Sequence, residues 1–211
     1  MSTREQDQQI AGLLEAFREQ EDQDVFVQSK GRYLEYYLVG PIEEASHYIK
    51  VFNAIRNCGE NDTVKVHINS GGGDLDTALQ FMQVLNETAA ETITSVVGSC
   101  MSAATMIFLS GDQLEVMPHS RFMFHNYSGG AYGKGGELHD QIVFDRAWSS
   151  KLFHDIYRGF LTPEEITSLL NNKDIYMTSE EAIERAAKAM LLKEEQSQSV
   201  PNGEAADCKS E

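Results

Sequence analysis

The chain has 211 residues, with 17 Lys and Arg against 33 Asp and Glu, which gives a formal net charge of −16. Binding to nucleic acids or to anionic membranes needs a basic surface, so the charge argues against both partners. Hydrophobic residues make up 41%, which is enough to build a core, and no stretch approaches the roughly 20 consecutive apolar residues of a membrane span. Three cysteines without metal-like spacing, and an N-terminus that does not resemble a secretory signal, predict a cytoplasmic protein.

The two ends of the chain differ in composition from its middle. Residues 1–24 carry two Arg against seven Asp or Glu, and their apolar residues have helical spacing. We expect a short amphipathic helix there, which packs on its own domain or on an identical neighbour; a docking helix for another partner is the alternative. Residues 193–211 contain almost no large apolar residues and are predicted to be a disordered tail. This leaves one domain, 25–192.

That domain alternates between predicted strands and helices, which favours an α/β fold with a largely parallel sheet. Two capping boxes, at 162–165 and 178–181, mark the starts of the last two helices. The predicted strands are 33–39, 63–68, 92–97, 114–117 and 121–125. The predicted helices are 43–57, 75–90, 102–109 and 137–158, followed by the two that the capping boxes announce.

A turn of small residues, Gly98–Ala104, joins a predicted strand to an apolar helix and places Ser102 at the N-terminus of that helix. An exposed hydroxyl beside unpaired backbone N–H groups is what a nucleophilic serine requires. Serine is also an ordinary helix cap, and the spacing alone favours that interpretation. Both remain open at this point.

A second loop, Asn69–Gly73, contains three consecutive glycines between a strand and a helix. A dinucleotide-binding loop is not indicated, because Asp76 occupies the position of its third glycine. The region around Lys134 likewise lacks the Walker pattern. The loop therefore supplies either an oxyanion-binding N–H group or only a tight turn.

The six histidines form no metal-ligand pattern such as H-E-x-x-H, so we expect no metal and no cofactor. His125 ends a predicted strand, where catalytic groups of α/β sheets often lie. A histidine there is more often structural, and 33 carboxylates offer too many choices for composition to identify an acid that would orient it.

Four segments in order, HINSGGGDLDTAL, VVGSCMSAATMIFLSG, MPHSRFMFHNYSGG and KDIYMTSEEAIERA, resemble the proteolytic subunit of the Clp protease. The resemblance covers about residues 33–191. It implies an α/β, ClpP/crotonase-like spiral of repeated β-β-α units with a long handle helix. It also implies Ser102 as nucleophile, His125 as base and Asp174 as acid, with an oxyanion hole formed by the backbone N–H groups of Gly72 and Ala103.

The same resemblance implies a serine endopeptidase that needs no cofactor and cleaves unfolded polypeptides inside a homo-oligomer of stacked rings, with an AAA+ unfoldase as a partner. The ring contact maps onto about residues 127–160, whose apolar residues exceed what one helix face buries; a helix fully buried within the monomer is the alternative. The family's N-terminal loops, which engage its unfoldase, are not recognisable here, and its Tyr-Gly-Leu segment near the last helix is replaced by Arg185-Ala186-Ala187. We therefore expect an active peptidase with altered regulation.

The sequence leaves three other hypotheses. A dedicated processing peptidase, of the capsid-maturation type, would share the fold and the catalytic residues. An acyl-coenzyme A enzyme of the crotonase type would share the fold, but it usually needs basic residues for the nucleotide phosphates, and the 17 basic residues here are scattered. An inactive ring-forming partner of an active paralogue is disfavoured by the intact Ser–His–Asp set.

Overall fold

The strands form one sheet in which most pairs of neighbouring strands are parallel. The computed structural model describes residues 26–29, 31–130 and 132–198, and the sheet order is β1-β2-β3-β4-β6-β7, with β5 also paired to β4. Among the strands of these residues, only the outer pairs, β1 with β2 and β6 with β7, are antiparallel. The strands are β1 Phe26–Ser29, β2 Arg32–Val39, β3 Thr63–Ser70, β4 Glu91–Met101, β5 Gln113–Val116, β6 Arg121–Phe124 and β7 Ile175–Thr178. The predicted mixed α/β fold with a largely parallel sheet is confirmed.

Helices connect the parallel strands, as parallel pairing requires. A 3₁₀ turn at Ala45–Tyr48 leads into the first of them. The helices are α1 Ile49–Arg56, α2 Leu75–Glu87, α3 Ala103–Leu109, α4 Gly135–Tyr157, α5 Pro163–Leu170 and α6 Ser179–Gln198. The capping box predicted for α5 is present, with Thr162 and Glu165 each accepting a backbone N–H from the other.

Alternating apolar residues bury one face of the sheet. Along β3, the side chains of Val64, Val66 and Ile68 are fully buried while their neighbours are partly exposed. Helices α1 and α2 pack on this face: Phe81 of α2 stacks on Tyr36 of β2 with ring centroids 6.0 Å apart and meets Phe52 of α1 edge to face at 4.7 Å. This packing fixes the sheet on which the candidate site is built.

Strand β4 bends in its middle and changes neighbours there. Its residues 93–96 pair with β5, whereas 99–101 pair with β6. Against β3, the register advances by two residues from Ile68 to Ser70 while β4 advances by four, from Val96 to Cys100. The Asn69 carboxamide fills the irregularity: its Oδ1 accepts the N–H of Ser99 at 3.0 Å and lies 2.6 Å from where a Cβ on Gly98 would stand. The bend carries β4 on to Met101 and sets the position of the turn that follows.

Helix α4 is buried only near its C-terminal end. Its buried residues are Ser149, Phe153 and Tyr157, whereas Ile142, Val143 and Phe144 are 57%, 55% and 66% exposed. A helix fully buried within the monomer, the alternative that the sequence left open, is therefore wrong for this chain. Three consecutive exposed apolar side chains need another explanation.

The predicted ends fall largely outside the described residues. The acidic segment 1–24 with its amphipathic helix lies there, as does 199–211. Helix α6 continues to Gln198, so the tail boundary that we placed at residue 193 is wrong: 193–198 is helical. Within the described part of the chain, no helix combines the length and the apolarity that a membrane span needs.

Candidate active site

Ser102 lies in a sharp turn between β4 and α3. Its backbone has φ 56° and ψ −132°, a conformation that costs a residue with a Cβ roughly 1–3 kcal/mol. The turn is held because the Ser102 N–H donates to the carbonyl of Met123 at 2.8 Å and because all seven residues of α3 are buried. Ser102 occupies the N-cap position, yet its hydroxyl makes no capping hydrogen bond. The ordinary role of a cap serine therefore does not account for it.

The Ser102 hydroxyl instead meets the imidazole of His125. Ser102 Oγ and His125 Nε2 are 2.6 Å apart, which is a short hydrogen bond. The sheet explains the contact, because Met101 at the end of β4 pairs with Met123 of β6, so that the residues following both strands meet at one edge. The two residues, 23 positions apart in the chain, are thus brought into contact.

Two hydrogen bonds, made by Thr105 and Tyr157, support the turn from within the core. The Thr105 hydroxyl donates to the carbonyl of Ser102 at 2.6 Å and lies 2.9 Å from the hydroxyl of Tyr157. Since Thr105 already donates its proton, the Tyr157 hydroxyl is the donor in the second bond. Burial raises the pKa of Tyr157 well above its usual range, which keeps that proton in place. Sequence reasoning missed both residues, although a threonine in the first turn of an otherwise apolar helix was a visible signal.

The glycine loop after β3 lies directly against the serine. Gly72 has φ 91°, and a Cβ there would stand 2.6 Å from the Cβ of Ser102 and 2.7 Å from the carbonyl oxygen of Met101. Its N–H donates to the buried hydroxyl of Ser70 at 3.1 Å. On the other side, Ala103 is the first residue of α3, and an N–H at that position has no acceptor within its own helix. Both backbone groups that we predicted as oxyanion donors thus flank Ser102.

Asp174 lies next to His125 in register but makes no hydrogen bond with it among the described residues. Strands β6 and β7 are antiparallel, and Phe124 pairs with Ile175, so the residue before β7 stands opposite the residue after β6. The Asp174 side chain is exposed. Nearby, the Asn126 amide donates to the side-chain oxygen of Asn172 at 3.0 Å. The structure therefore joins Ser102 and His125 by a hydrogen bond. Asp174 stands opposite His125 in the strand register without a hydrogen bond to it.

A cavity of about 600 Å³ opens onto the serine and the histidine. Its walls come from the start of α2, the segment after β6 and the inner side of α4, and they combine apolar and acidic side chains. The volume lies within the range of pockets that enclose a peptide side chain or a small ligand. The residues that line it besides Ser102 and His125 include Asp74, Leu75, Asp76, Ala103, Met106, Tyr127, Leu138, Ile142, Asp145, Trp148 and Phe153.

Comparison with known proteins relates this site to one family. The family model described as Clp protease matches residues 35–186. An ATP-dependent Clp protease proteolytic subunit of Ostreococcus tauri is 29% identical over 126 residues, covering 56% of this chain and 60% of that protein. One from Chlorella vulgaris is 32% identical over 81 residues, covering 37% of this chain and 40% of that protein. Proteolytic subunit 1 of Salinibacter ruber is 26% identical over 161 residues, covering 72% and 68%. The matched family region contains strands β3 to β7, the glycine loop and the serine turn, and this chain belongs to the Clp protease family.

Proposed function

We propose that the chain is a serine endopeptidase whose nucleophile is Ser102. The observation that carries the proposal is the 2.6 Å hydrogen bond between Ser102 Oγ and His125 Nε2, made by a serine whose strained turn frees its hydroxyl from capping. An activated serine needs a base within this distance. The closeness of Gly72 to Ser102 and the position of Ala103 at the start of α3 support the same chemistry.

In the proposed reaction, Ser102 Oγ attacks the carbonyl carbon of a peptide bond while His125 Nε2 takes the hydroxyl proton. The proton passes to the leaving amine as the C–N bond breaks, and water then hydrolyses the acyl ester with His125 again acting as base. The negative oxygen of the intermediate would accept the N–H groups of Gly72 and Ala103. For this, the Gly72 N–H exchanges the Ser70 hydroxyl for the substrate oxygen.

Asp174 is proposed as the acid that orients His125 through Nδ1. The register of β6 and β7 supports this role, because it places residue 174 opposite residue 125. Catalytic hydrogen bonds are often long or unformed before substrate binds. A rotation of the exposed Asp174 side chain toward the ring would complete the triad.

Assembly into a chamber is the second part of the proposal. The exposed Ile142, Val143 and Phe144 of α4 support self-association along this helix, since an apolar run of this kind is costly in water. We propose stacked rings that act on unfolded polypeptides supplied by an ATP-hydrolysing unfoldase. The names of the relatives, which call those proteins ATP-dependent, support such a partner. Cys58 and Cys100, both buried and unpaired, are compatible with the cytoplasm as the location.

Hydrolysis of an unfolded polypeptide by the purified chain tests the proposal. We expect Ser102→Ala and His125→Ala to abolish cleavage, whereas Ser99→Ala keeps wild-type activity. Ser99 is a matched control, because it lies in the same strand end and its hydroxyl accepts a hydrogen bond from the Arg121 side chain but makes none with His125. Cleavage that survives Ser102→Ala would end the proposal.

Sedimentation of wild type and of Phe144→Glu tests the proposed assembly. We expect the wild-type protein to sediment as a large particle, and we expect the charge introduced by Phe144→Glu to dissociate that particle.

A further inference from the structure

The cleft around Ser102 contains several acidic side chains and, among the described residues that line it, His125 is the only side chain that can carry a positive charge. Asp74 and Asp76, at the start of α2, line it on one side, and Asp145 of α4 lines it on another. Among the described residues that line the cavity there is no Lys or Arg. A cleft lined by one sign of charge concentrates ligands of the opposite sign.

No ion pair among the described residues neutralises these carboxylates. None of the three forms an ion pair with a Lys or Arg in the described part of the structure. One oxygen of Asp74 accepts the backbone N–H of Thr77 at 2.8 Å and caps α2. Capping explains an Asp at 74, and the helix dipole favours an acid at 76, in the first turn of α2, but neither explains Asp145 on a different helix. The shared feature of the three is the cavity.

The remaining lining suits a long cationic side chain. Apolar surface from Met106, Leu138 and Trp148 stands in the same cavity as the carboxylates. Lysine and arginine bury an aliphatic stem while keeping the charged group near polar partners, and an indole ring adds a favourable surface for a cation. A neutral apolar side chain would use only part of this lining, and an acidic side chain would be repelled.

We propose that the cleft selects polypeptides with Lys or Arg close to the bond that is cleaved, and that Asp74, Asp76 and Asp145 determine this specificity. This inference rests on the proposed peptidase function, whose substrate class it names. A partly exposed ion pair favours binding by up to about fivefold, so we expect about a tenfold preference for a basic over a neutral residue when the three carboxylates act together.

The test uses quenched fluorogenic octapeptides that are identical except for one residue, which is Lys, Gln or Glu at each position flanking the cleaved bond. We expect kcat/KM to follow the order Lys, Gln, Glu, and the preference to shrink when NaCl is raised. The triple variant Asp74→Asn, Asp76→Asn, Asp145→Asn should lose the preference, so that it cleaves the Lys, Gln and Glu peptides with equal kcat/KM. Asn at 74 retains the helix cap. Asp140→Asn is the matched control, an exposed carboxylate of α4 outside the cavity lining.

Two results separate the failure of this inference from the failure of the proposed function. A neutral fluorophosphonate reports the reactivity of Ser102 without any cationic group. If Ser102 is labelled and the peptides are cleaved with equal kcat/KM, or if the triple variant keeps the wild-type preference, the charge selection is wrong and the peptidase stands. If labelling does not depend on Ser102, the proposed function itself is wrong.

Discussion

Gly72→Ala is the substitution to which the candidate site should be most sensitive. A Cβ at this position would stand 2.6 Å from Ser102 Cβ, 2.7 Å from the carbonyl oxygen of Met101 and 3.1 Å from Ser102 Oγ. Two of these neighbours are held rigidly, since β4 and the buried helix α3 fix the serine turn. Gly72 also has φ 91°, where a residue with a Cβ is strained. The new methyl group therefore has to displace either the glycine loop or the nucleophile.

The expected cost combines two terms. The unfavourable φ costs roughly 1–2 kcal/mol and the overlap roughly 1–3 kcal/mol. A total near 3 kcal/mol would lower Tm by about 6–12 °C for a domain of this size. Because the proposed oxyanion donor and the serine both move, fluorophosphonate labelling and peptide hydrolysis should fall by about 100-fold or more.

Gly71→Ala is the matched control for this substitution. Nothing lies within 4 Å of a Cβ at position 71, and its φ is outside the left-handed region. We expect a change in stability of less than about 0.5 kcal/mol and wild-type labelling. Thermal unfolding and labelling rates measured on both variants decide the matter. A Gly72→Ala protein with the Tm and reactivity of Gly71→Ala would refute the close contact between the glycine loop and Ser102.

Three further predictions test other parts of the site and its support. Because the turn at Ser102 is strained, the free energy of unfolding of Ser102→Gly, measured with urea, should exceed that of Ser102→Ala by about 1 kcal/mol, and equal values would contradict the strain. Thr105→Val should lower stability by about 1–3 kcal/mol, because it removes the bond to the Ser102 carbonyl and leaves the buried Tyr157 hydroxyl without an acceptor; a loss below about 0.5 kcal/mol would show that these two hydrogen bonds are unimportant. Hydrogen bonds from Arg185 lower the pKa of Glu165, so this pair stabilises the fold above the unfolded pKa of about 4.3 and the gain is lost as the pH falls through the lower folded value. Urea unfolding between pH 6 and 3 should show a shallower pH dependence for Glu165→Gln, and an unchanged slope would contradict the assignment.

The elements that carry Ser102 and His125 could be predicted from the sequence because their signals are local. Small residues mark the turn before α3, and an apolar run marks β6. Each signal left the chemistry open, and only the four motifs in order pointed to a nucleophile and a base. The contact itself depends on β4 changing neighbours from β5 to β6, which composition does not reveal.

Strand β1 was not predicted, and two features of the sheet near the candidate site escaped prediction for identifiable reasons. Strand β7 has only four residues and leads directly into α6, so its sequence was interpreted as the segment before a helix and not as a strand. The second half of β4 contains Gly98 and Ser99, which have little strand propensity, and the Asn69 side chain holds it in place. The position of Asp174 opposite His125 follows from the antiparallel pairing of β7 and was therefore equally hidden.

The extension of α6 shows where a composition argument fails. Residues from 193 onward lack apolar side chains, which suggested disorder, but Lys, Glu and Gln are strong helix formers. Lys193 also bonds back to the domain, because its Nζ donates to the carbonyls of Leu109 at 2.8 Å and Gly111 at 2.9 Å. Local propensity and one tertiary anchor thus continue the helix where hydrophobicity predicts its end.

The most direct measurement is the mass of the protein after treatment with an excess of fluorophosphonate, followed by peptide mapping. Our account predicts a single adduct per chain on the peptide that contains Ser102, slowed severely by His125→Ala and absent in Ser102→Ala. An adduct on another serine, or no adduct on a correctly folded protein, would contradict it.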